Sequence, residues 1–246
     1  MIKEKVIKKL LDRGIRPVSI NTKLRAVRAF LNFLVTHGYI KRSPMESIQM
    51  LKHDKNAIET LTIAQVRALL NACNLRTFVG YCDYTIISQF LETGIRVFEL
   101  VNIDVQDVDL QAGLIHIKQV KSNLARSVPI QRAMKNILLR YMRLRGHLPT
   151  NRLFVTLSGT PLSKRQVQKR ITDYGKKAGI KGVRVSPHTI RHTFAKLAVM
   201  NGANAFHLQA ILGHTTLDMT KTYVNLFGNE VKEGHRKFSP LQSIRR

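Results

Sequence analysis

The densest group of side chains able to act on a phosphate lies in the segment SPHTIRH, residues 186–192. Ser186 followed by Pro187 is typical of a helix start, because a serine side chain caps free N–H groups and proline fits the first helical position. His188 and Arg191 are three residues apart, so they share a face of the first turn. Free N–H groups and the positive end of the helix dipole favour a phosphate there. A capped helix with a surface arginine explains the same fragment, and both interpretations stay open.

Two further segments carry residues of the same chemical type. Arg96 follows a glycine that is typical of a helix end, and Glu99 lies three residues later, a spacing that also fits a solvated ion pair. His214 ends a Leu-Gly-His sequence, and Tyr223 follows nine residues later. A tyrosine on an apolar helix face is usually part of the core, whereas the polar residues before Tyr223 favour an exposed side chain. Both placements stay open.

The histidines do not form a recognisable metal site. His188 and His192 are four residues apart, as in zinc-binding helices. The glutamate of the HExxH pattern is missing, since Thr189 follows His188, and no acidic cluster offers oxygen ligands to Mg²⁺. The sequence also has no GxxxxGK[ST] loop for a nucleotide. We therefore expect chemistry without a metal or another cofactor.

The elements that must position these residues are mostly helices. Apolar residues at spacings of three and four predict an amphipathic helix between Ile20 and Tyr39, which His37 and Gly38 end. A capping box at Thr62 predicts a second helix start. Further helices are predicted at 62–73, 79–92, 131–145, 163–177, 188–201, 204–212 and 215–226.

A small sheet interrupts these helices. Ile115 and Ile117 alternate with polar residues, which is the period of a half-buried strand. Residues 105–110 lead through a turn into this strand. Residues 126–130 are predicted to form an edge strand, because Pro129 would remove a hydrogen bond from a central strand. The predicted fold class is mainly α with a small antiparallel β-sheet (α+β).

The charge of the chain predicts a polyanionic partner. The 246 residues carry 41 Lys and Arg against 15 Asp and Glu, a net charge of +26. Both ends are strongly cationic, which suits a protein that surrounds nucleic acid better than one that lies on an anionic membrane. No apolar run is long enough to span a bilayer. Cys73 and Cys82 are too few for a disulfide framework and are expected to be reduced.

Together the fragments resemble the tyrosine recombinases, or phage integrases. Arg96 in TGIRVFEL looks like the family's first box, HTIRH at 188–192 like its second, and Leu-Gly-His with Tyr223 like its last. The resemblance covers residues 60–235 and, more loosely, 1–53. The family also has a lysine in a β-hairpin turn, which here is Lys121 or the nearby Lys118.

The resemblance implies metal-free and ATP-free cutting and rejoining of DNA through a 3′-phosphotyrosine. It makes Tyr223 the nucleophile and His188 the acceptor of its proton. Lys121 would protonate the departing 5′ oxygen, and Glu99 would orient the arginines. Arg96, Arg191 and His214 would hold the phosphate.

The resemblance also implies an organisation and a set of partners. We expect a short helical core-binding domain at 1–54, complete or truncated, a catalytic domain at 55–235 and a basic tail at 236–246. Residues 224–246, which include this tail, would pack on a neighbouring protomer, with a free tail as the alternative. The expected assembly is a homo-tetramer on two DNA duplexes, with an accessory directionality protein as an optional partner, in the cytoplasm with the nucleoid. The candidate DNA-binding residues are Lys23, Arg25, Arg28, Lys41, Arg42, Lys164, Arg165, Lys169 and Arg170.

Two other functions fit parts of this pattern. A type IB topoisomerase-like enzyme shares the tyrosine chemistry but relaxes DNA without exchange between sites. A catalytically inactive DNA-binding regulator would keep the charge and the fold without the reaction. The sequence does not specify the target site, nor whether a mobile element or the chromosome is served.

Overall fold

The computed structural model describes residues 2–52, 58–118 and 125–227. The chain divides into two compact units, residues 1–57 and 58–246. Among the described residues, no helix is both long and apolar enough to cross a membrane. The predicted hairpin turn that contains Lys121, residues 53–57 at the predicted domain boundary and all residues beyond 227 lie outside the described residues.

The first unit contains two helices and a loop. Helix α1 spans Ile2–Asp12 and α2 spans Pro17–Thr36, with proline at its first turn and His37 at its C-cap. The buried amide of Asn21 exchanges two hydrogen bonds of 2.9 Å with the backbone of Leu51, which ties the loop after α2 back onto the helix. The predicted helix is confirmed, although it starts three residues earlier because Pro17 fixes its first turn.

The second unit is built around helix α4, Phe78–Thr93, which packs against α6 (Arg132–Arg145) and α8 (Pro187–Met200). Helix α3, Ile63–Asn71, begins at the predicted capping box between Thr62 and Gln65. The remaining helices are α5 (Val97–Val101), α7 (Lys164–Lys177), α9 (Ala205–Leu212) and α10 (Leu217–Phe227). A single 3₁₀ turn at Val105–Asp107 precedes the sheet.

Three strands form an antiparallel sheet in the order β1 (Val108–Asp109), β2 (Leu114–Ile117) and β3 (Arg126–Pro129). Ile115 and Ile117 are buried while His116 is exposed, as the alternation predicts. Strand β3 lies at the sheet edge, which Pro129 requires. The predicted fold class is therefore confirmed. Helix α5 is the element that the periodicity missed, because five residues are too few to display a helical repeat.

Candidate active site

Helix α8 brings His188 and Arg191 to the site. Its N-cap is Ser186, whose side chain accepts the N–H of Thr189 at 3.2 Å, and Pro187 occupies the first turn, both as predicted. Arg191 is only 4% exposed. Its guanidinium donates to the carbonyls of Gly94 at 2.6 Å and Leu212 at 3.0 Å. The alternative of a surface arginine on a capped helix is therefore wrong.

Arg96 reaches the same place from the turn between α4 and α5. Gly94 ends α4 in the left-handed region with φ of 58°, and Arg96 is the N-cap residue of α5. The Arg96 guanidinium donates to the carbonyls of Leu212 at 3.3 Å and Gly213 at 3.0 Å. Leu212 ends α9 and Gly213 is its C-cap, where carbonyls lack helical partners. This carbonyl end thus anchors both predicted phosphate-binding arginines.

Glu99 is buried between two arginines. Its carboxylate accepts two parallel bonds of 2.9 Å from Arg126 and a third from Arg96 Nη1 at 3.1 Å. It also accepts the backbone N–H of Arg96 at 2.9 Å. Burial acts to raise the pKa of Glu99, but the hydrogen bonds from Arg126 and Arg96 outweigh it and leave the pKa below its usual range. Glu99 is therefore ionised at neutral pH.

Sequence reasoning missed Arg126. This first residue of β3 also donates Nε to the carbonyl of Ile211 at 2.9 Å, so it joins the sheet, α5 and the end of α9. Nothing local in the sequence connects it to Glu99, which lies 27 residues away. The only usable signal was an unexplained arginine at the start of a predicted edge strand.

A cleft of about 560 Å³ opens onto this arginine cluster. Arg96, His188 and Arg191 line it together with Lys164 and Arg184, and its described lining residues include no carboxylate. Burial and then the neighbouring charges of Arg191 and Arg96 lower the pKa of His188, so this histidine is neutral at pH 7. Burial and Arg96 also lower the pKa of Arg191 to about 10, which leaves it a cation. The cleft thus offers fixed positive charge and neutral hydrogen-bonding groups to an anion.

Tyr223 on α10 is buried, with 5% of its surface exposed, and it packs in a small apolar cluster with Val199, Leu208 and Leu212. The core placement is therefore the correct one of the two that the sequence left open. The hydroxyl lies 2.6 Å from Nδ1 of His192. Burial raises the pKa of Tyr223, although the charge of Arg191 opposes it, so the phenol is protonated at neutral pH.

His214 lies beside the same tyrosine. Its ring stacks on the Tyr223 ring at 6.3 Å between centroids, and its Nδ1 lies 2.8 Å from Oγ1 of Thr220. Burial first, and then Arg191 and Arg96, lower the pKa of His214 to about 4. His214 is thus a neutral, oriented ring whose Nε2 is left for another partner. His192 was noticed in the sequence only as half of a zinc pattern, and its contact with Tyr223 was not expected.

Of the two lysines that the sequence allowed for the hairpin, one can be located. Lys121 lies outside the described residues. Lys118 follows β2 and pairs with the carboxylates of Asp104 and Asp107, the latter at 3.1 Å. These hydrogen bonds raise the pKa of Lys118. A lysine occupied by two carboxylates is a poor proton donor to a DNA oxygen, so Lys121 remains the preferred assignment.

The nine candidate DNA-binding residues fall into two groups. Those whose side chains bind to other parts of the protein are Arg28 (to the Ile48 carbonyl), Arg42 (to Glu46), Lys169 (to Asp173) and Arg170 (to the buried Asp83). The other five are exposed: Lys23, Arg25, Lys41, Lys164 and Arg165. Lys164 alone of the nine lines the cleft. Arg170 is the least suited to bind DNA, because its guanidinium compensates the negative charge of the buried Asp83.

Comparison with known proteins shows the family to which the chain belongs. The sequence profile of the phage integrase family matches residues 59–230. The chain is 30% identical to tyrosine recombinase XerD of Staphylococcus aureus (strain Mu50 / ATCC 700699), over 94% of this chain and 79% of that one. Among solved structures, XerA recombinase is 27% identical, with a TM-score of 0.64, over 96% of this chain and 82% of that chain.

A second solved structure agrees in fold alone. The Tn1549 transposon integrase, in complex with transposon right end DNA, superposes with a TM-score of 0.76 at 22% identity, over 93% of this chain and 80% of that one.

The chain belongs to the phage integrase family of tyrosine recombinases. It is accordingly a site-specific recombinase, an enzyme that breaks and rejoins DNA strands. The resemblance seen in the sequence is confirmed.

Proposed function

We propose that this enzyme cleaves DNA by attack of the Tyr223 hydroxyl on a phosphodiester held in the arginine-lined cleft. The observation that carries the proposal is the convergence of Arg96, His188 and Arg191 on one cleft, with Tyr223 and His214 beside Arg191. These residues come from four separate parts of the second unit. A shared fold explains their order along the chain, but a shared anionic ligand explains why cations line this cleft while its described lining residues include no carboxylate.

The chemistry follows from these residue types. The two guanidiniums each present parallel N–H groups to non-bridging oxygens, where negative charge increases during attack. Loss of one such donor typically costs about 3–4 kcal/mol, or roughly 10²–10³ in rate. The bond from Tyr223 to phosphorus forms as the 5′ oxygen departs, and Lys121 protonates that oxygen. Attack by another strand's 5′-hydroxyl then releases the tyrosine, so neither ATP nor a metal enters the scheme.

We extend the proposal to the assembly and its DNA. Each protomer has one Tyr223 and breaks one strand, so exchange between two duplexes requires four protomers. We therefore propose a tetramer that integrates, excises or resolves a DNA element, with an accessory directionality protein as an optional regulator. A lambda integrase dimer has been crystallised on its core site, which supports DNA as the partner. We propose that the protein acts on this substrate in the cytoplasm, with the nucleoid.

The first unit is proposed to bind the DNA backbone. Lys23, Arg25 and Lys41 are exposed there, and exposed cations that release counterions from phosphates supply sequence-independent affinity. In the second unit, Lys164 and Arg165 begin α7 and are proposed to do the same beside the cleft. The residues after Phe227 are proposed to pack on a neighbouring protomer.

Covalent trapping tests the nucleophile. The recombination site is taken from genomic DNA fragments that the protein binds. A nick in that site prevents religation of the cut strand, so the covalent intermediate accumulates. In EDTA, wild type is expected to give a denaturation-resistant adduct, and Tyr223→Phe none. Tyr39→Phe is the matched control, since Tyr39 is 72% exposed and lies in the other unit. An adduct that persists in Tyr223→Phe contradicts the assignment.

Two outcomes would replace the proposal with its rivals. Adducts without strand exchange between two sites, accompanied by relaxation of supercoils, indicate a topoisomerase-like enzyme. Tight binding to the retained DNA without an adduct in wild type indicates a non-catalytic regulator.

A further inference from the structure

The buried hydroxyl of Tyr223 is held by a histidine to which the family resemblance assigns no role. Nδ1 of His192 lies 2.6 Å from this hydroxyl, and the two ring centroids are 5.7 Å apart. His188, in contrast, faces the cleft, and its ring lies 5.1 Å from that of His192. His192 therefore lies between the tyrosine and the histidine that lines the cleft.

The groups around His192 favour a neutral imidazole. The groups that face His192 are His188 and Arg191 on its own helix, Tyr223 on α10, and His214. Burial first, and then His188 and Arg191, lower the pKa of His192 to about 4, so the imidazole is neutral at pH 7. Either tautomer of a neutral imidazole can make this contact, and the hydroxyl donates to Nδ1 in the tautomer that carries the ring proton on Nε2.

We infer that His192, rather than His188, is the catalytic residue that takes the proton of Tyr223. The inference rests on the proposed role of Tyr223 as nucleophile. As the phenolic oxygen forms its bond to phosphorus, its O–H bond breaks and the proton passes to Nδ1 of His192. The phosphorus–5′ oxygen bond breaks in the same step, and that oxygen receives a proton from Lys121.

Two further points support this assignment. The hydroxyl of Tyr223 and Nδ1 of His192 are in hydrogen-bonding contact, so the proton passes between neighbouring atoms. Burial, His188 and Arg191 depress the pKa of His192, in that order, and an entering phosphate brings negative charge next to Arg191. DNA binding thus increases the basicity of His192 when a base is needed. His188 is left to donate a hydrogen bond to a phosphate oxygen in the cleft.

The test separates a base from a mere hydrogen-bond partner. Asparagine at 192 keeps an amide oxygen near the position of Nδ1 but cannot carry a proton away. His192→Asn is expected to slow formation of the covalent complex by about 10²–10⁴-fold while DNA binding stays unchanged. His207→Asn is the matched control, because His207 is exposed on α9. Imidazole is expected to restore part of the rate to His192→Ala, and pyrazole, a much weaker base of the same shape, is not.

A second substrate isolates the attack from the departure. When sulfur replaces the bridging 5′ oxygen, the leaving group no longer needs a proton. His192→Asn should stay slow on this DNA, whereas Lys121→Ala should recover. The inference is overturned by a rate within threefold of wild type in His192→Asn, by equal rescue with pyrazole, or by recovery of His192→Asn on the sulfur substrate. A wild type without an adduct at Tyr223 instead refutes the proposed function, and the inference with it.

Discussion

The buried pair of Arg126 and Glu99 offers the most direct test of how the site is held together. Replacing Arg126 by methionine removes both 2.9 Å bonds to the Glu99 carboxylate and the bond to the carbonyl of Ile211. The hydrophobic part of the side chain is largely conserved by this change. Glu99 would then stay buried with Arg96 as its only remaining cationic partner among the described residues.

The magnitude follows from the exposure of the pair. The side chains of Arg126 and Glu99 are 10% and 2% exposed, so solvent screens their interaction little. Removing one partner of a buried pair typically costs about 3–5 kcal/mol, because the other charge is left uncompensated. Glu99 keeps two of its four hydrogen bonds, which places the loss at the lower end of that range. We expect the free energy of unfolding to fall by about 3 kcal/mol.

Urea unfolding at pH 7 measures this loss, and Arg132→Met supplies the control. Arg132 is exposed at the start of α6, so the same substitution there removes the same charge and should change the stability by no more than about 0.5 kcal/mol. Arg126→Met should also cleave DNA more slowly, since Glu99 positions Arg96. If the two variants unfold at the same urea concentration, the pair does not hold the site together and the reasoning fails.

Three further predictions follow from single features. Gly213→Ala should lower stability and cleavage together, because φ there is 63° and an added Cβ would lie 2.6 Å from Nη1 of Arg126; unchanged urea unfolding would contradict this. The low pKa values of His192 and His214, about 4 against about 6.5 unfolded, mean that their stabilisation is complete above about pH 6.5 and is lost as the pH falls towards 4. Unfolding curves between pH 7 and 5 should show this loss, and a flat profile would exclude it. Gln89→Met should raise the free energy of unfolding by about 1–3 kcal/mol, because both amide atoms of the buried Gln89 lack hydrogen-bond partners among the described residues; a lower melting temperature would contradict it.

The sequence predicted what local physics determines. Ser186 and Pro187 indicate the start of α8, and the pairing of Thr62 with Gln65 indicates the start of α3. Pro129 restricts β3 to the edge of the sheet. In each case the side chain satisfies or removes a backbone group within a few residues of itself. Those signals need no knowledge of the rest of the chain.

Long-range contacts were not readable in the same way. Arg126 meets Glu99 across 27 residues, and Arg96 meets the carbonyl of Gly213 across 117. Spacing along the chain carries no information about such pairs. The burial of Tyr223 was equally hidden, since Lys221 and Thr222 beside it are exposed while Thr220 is buried with it. The packing of α9 and α8 against α10 is what covers the ring.

The way in which the arginines are anchored explains how the site can be rigid and still attract a phosphate. Among the described residues, Glu99 is the one carboxylate that binds Arg96 and Arg126, and Arg191 binds none. Backbone carbonyls from Gly94 and from the end of α9 fix the three guanidiniums otherwise. A carbonyl orients a guanidinium without neutralising it, so three positive charges less one negative leave a surplus of two. Carboxylates in place of those carbonyls would fix the side chains equally well but would cancel the charge that a phosphate in attack requires. Positioning by carbonyls therefore supplies fixed positive charge at the place where the reaction develops negative charge. The buried pair of Arg126 and Glu99, which Arg126→Met removes, offsets the loss of stability that this positive charge causes.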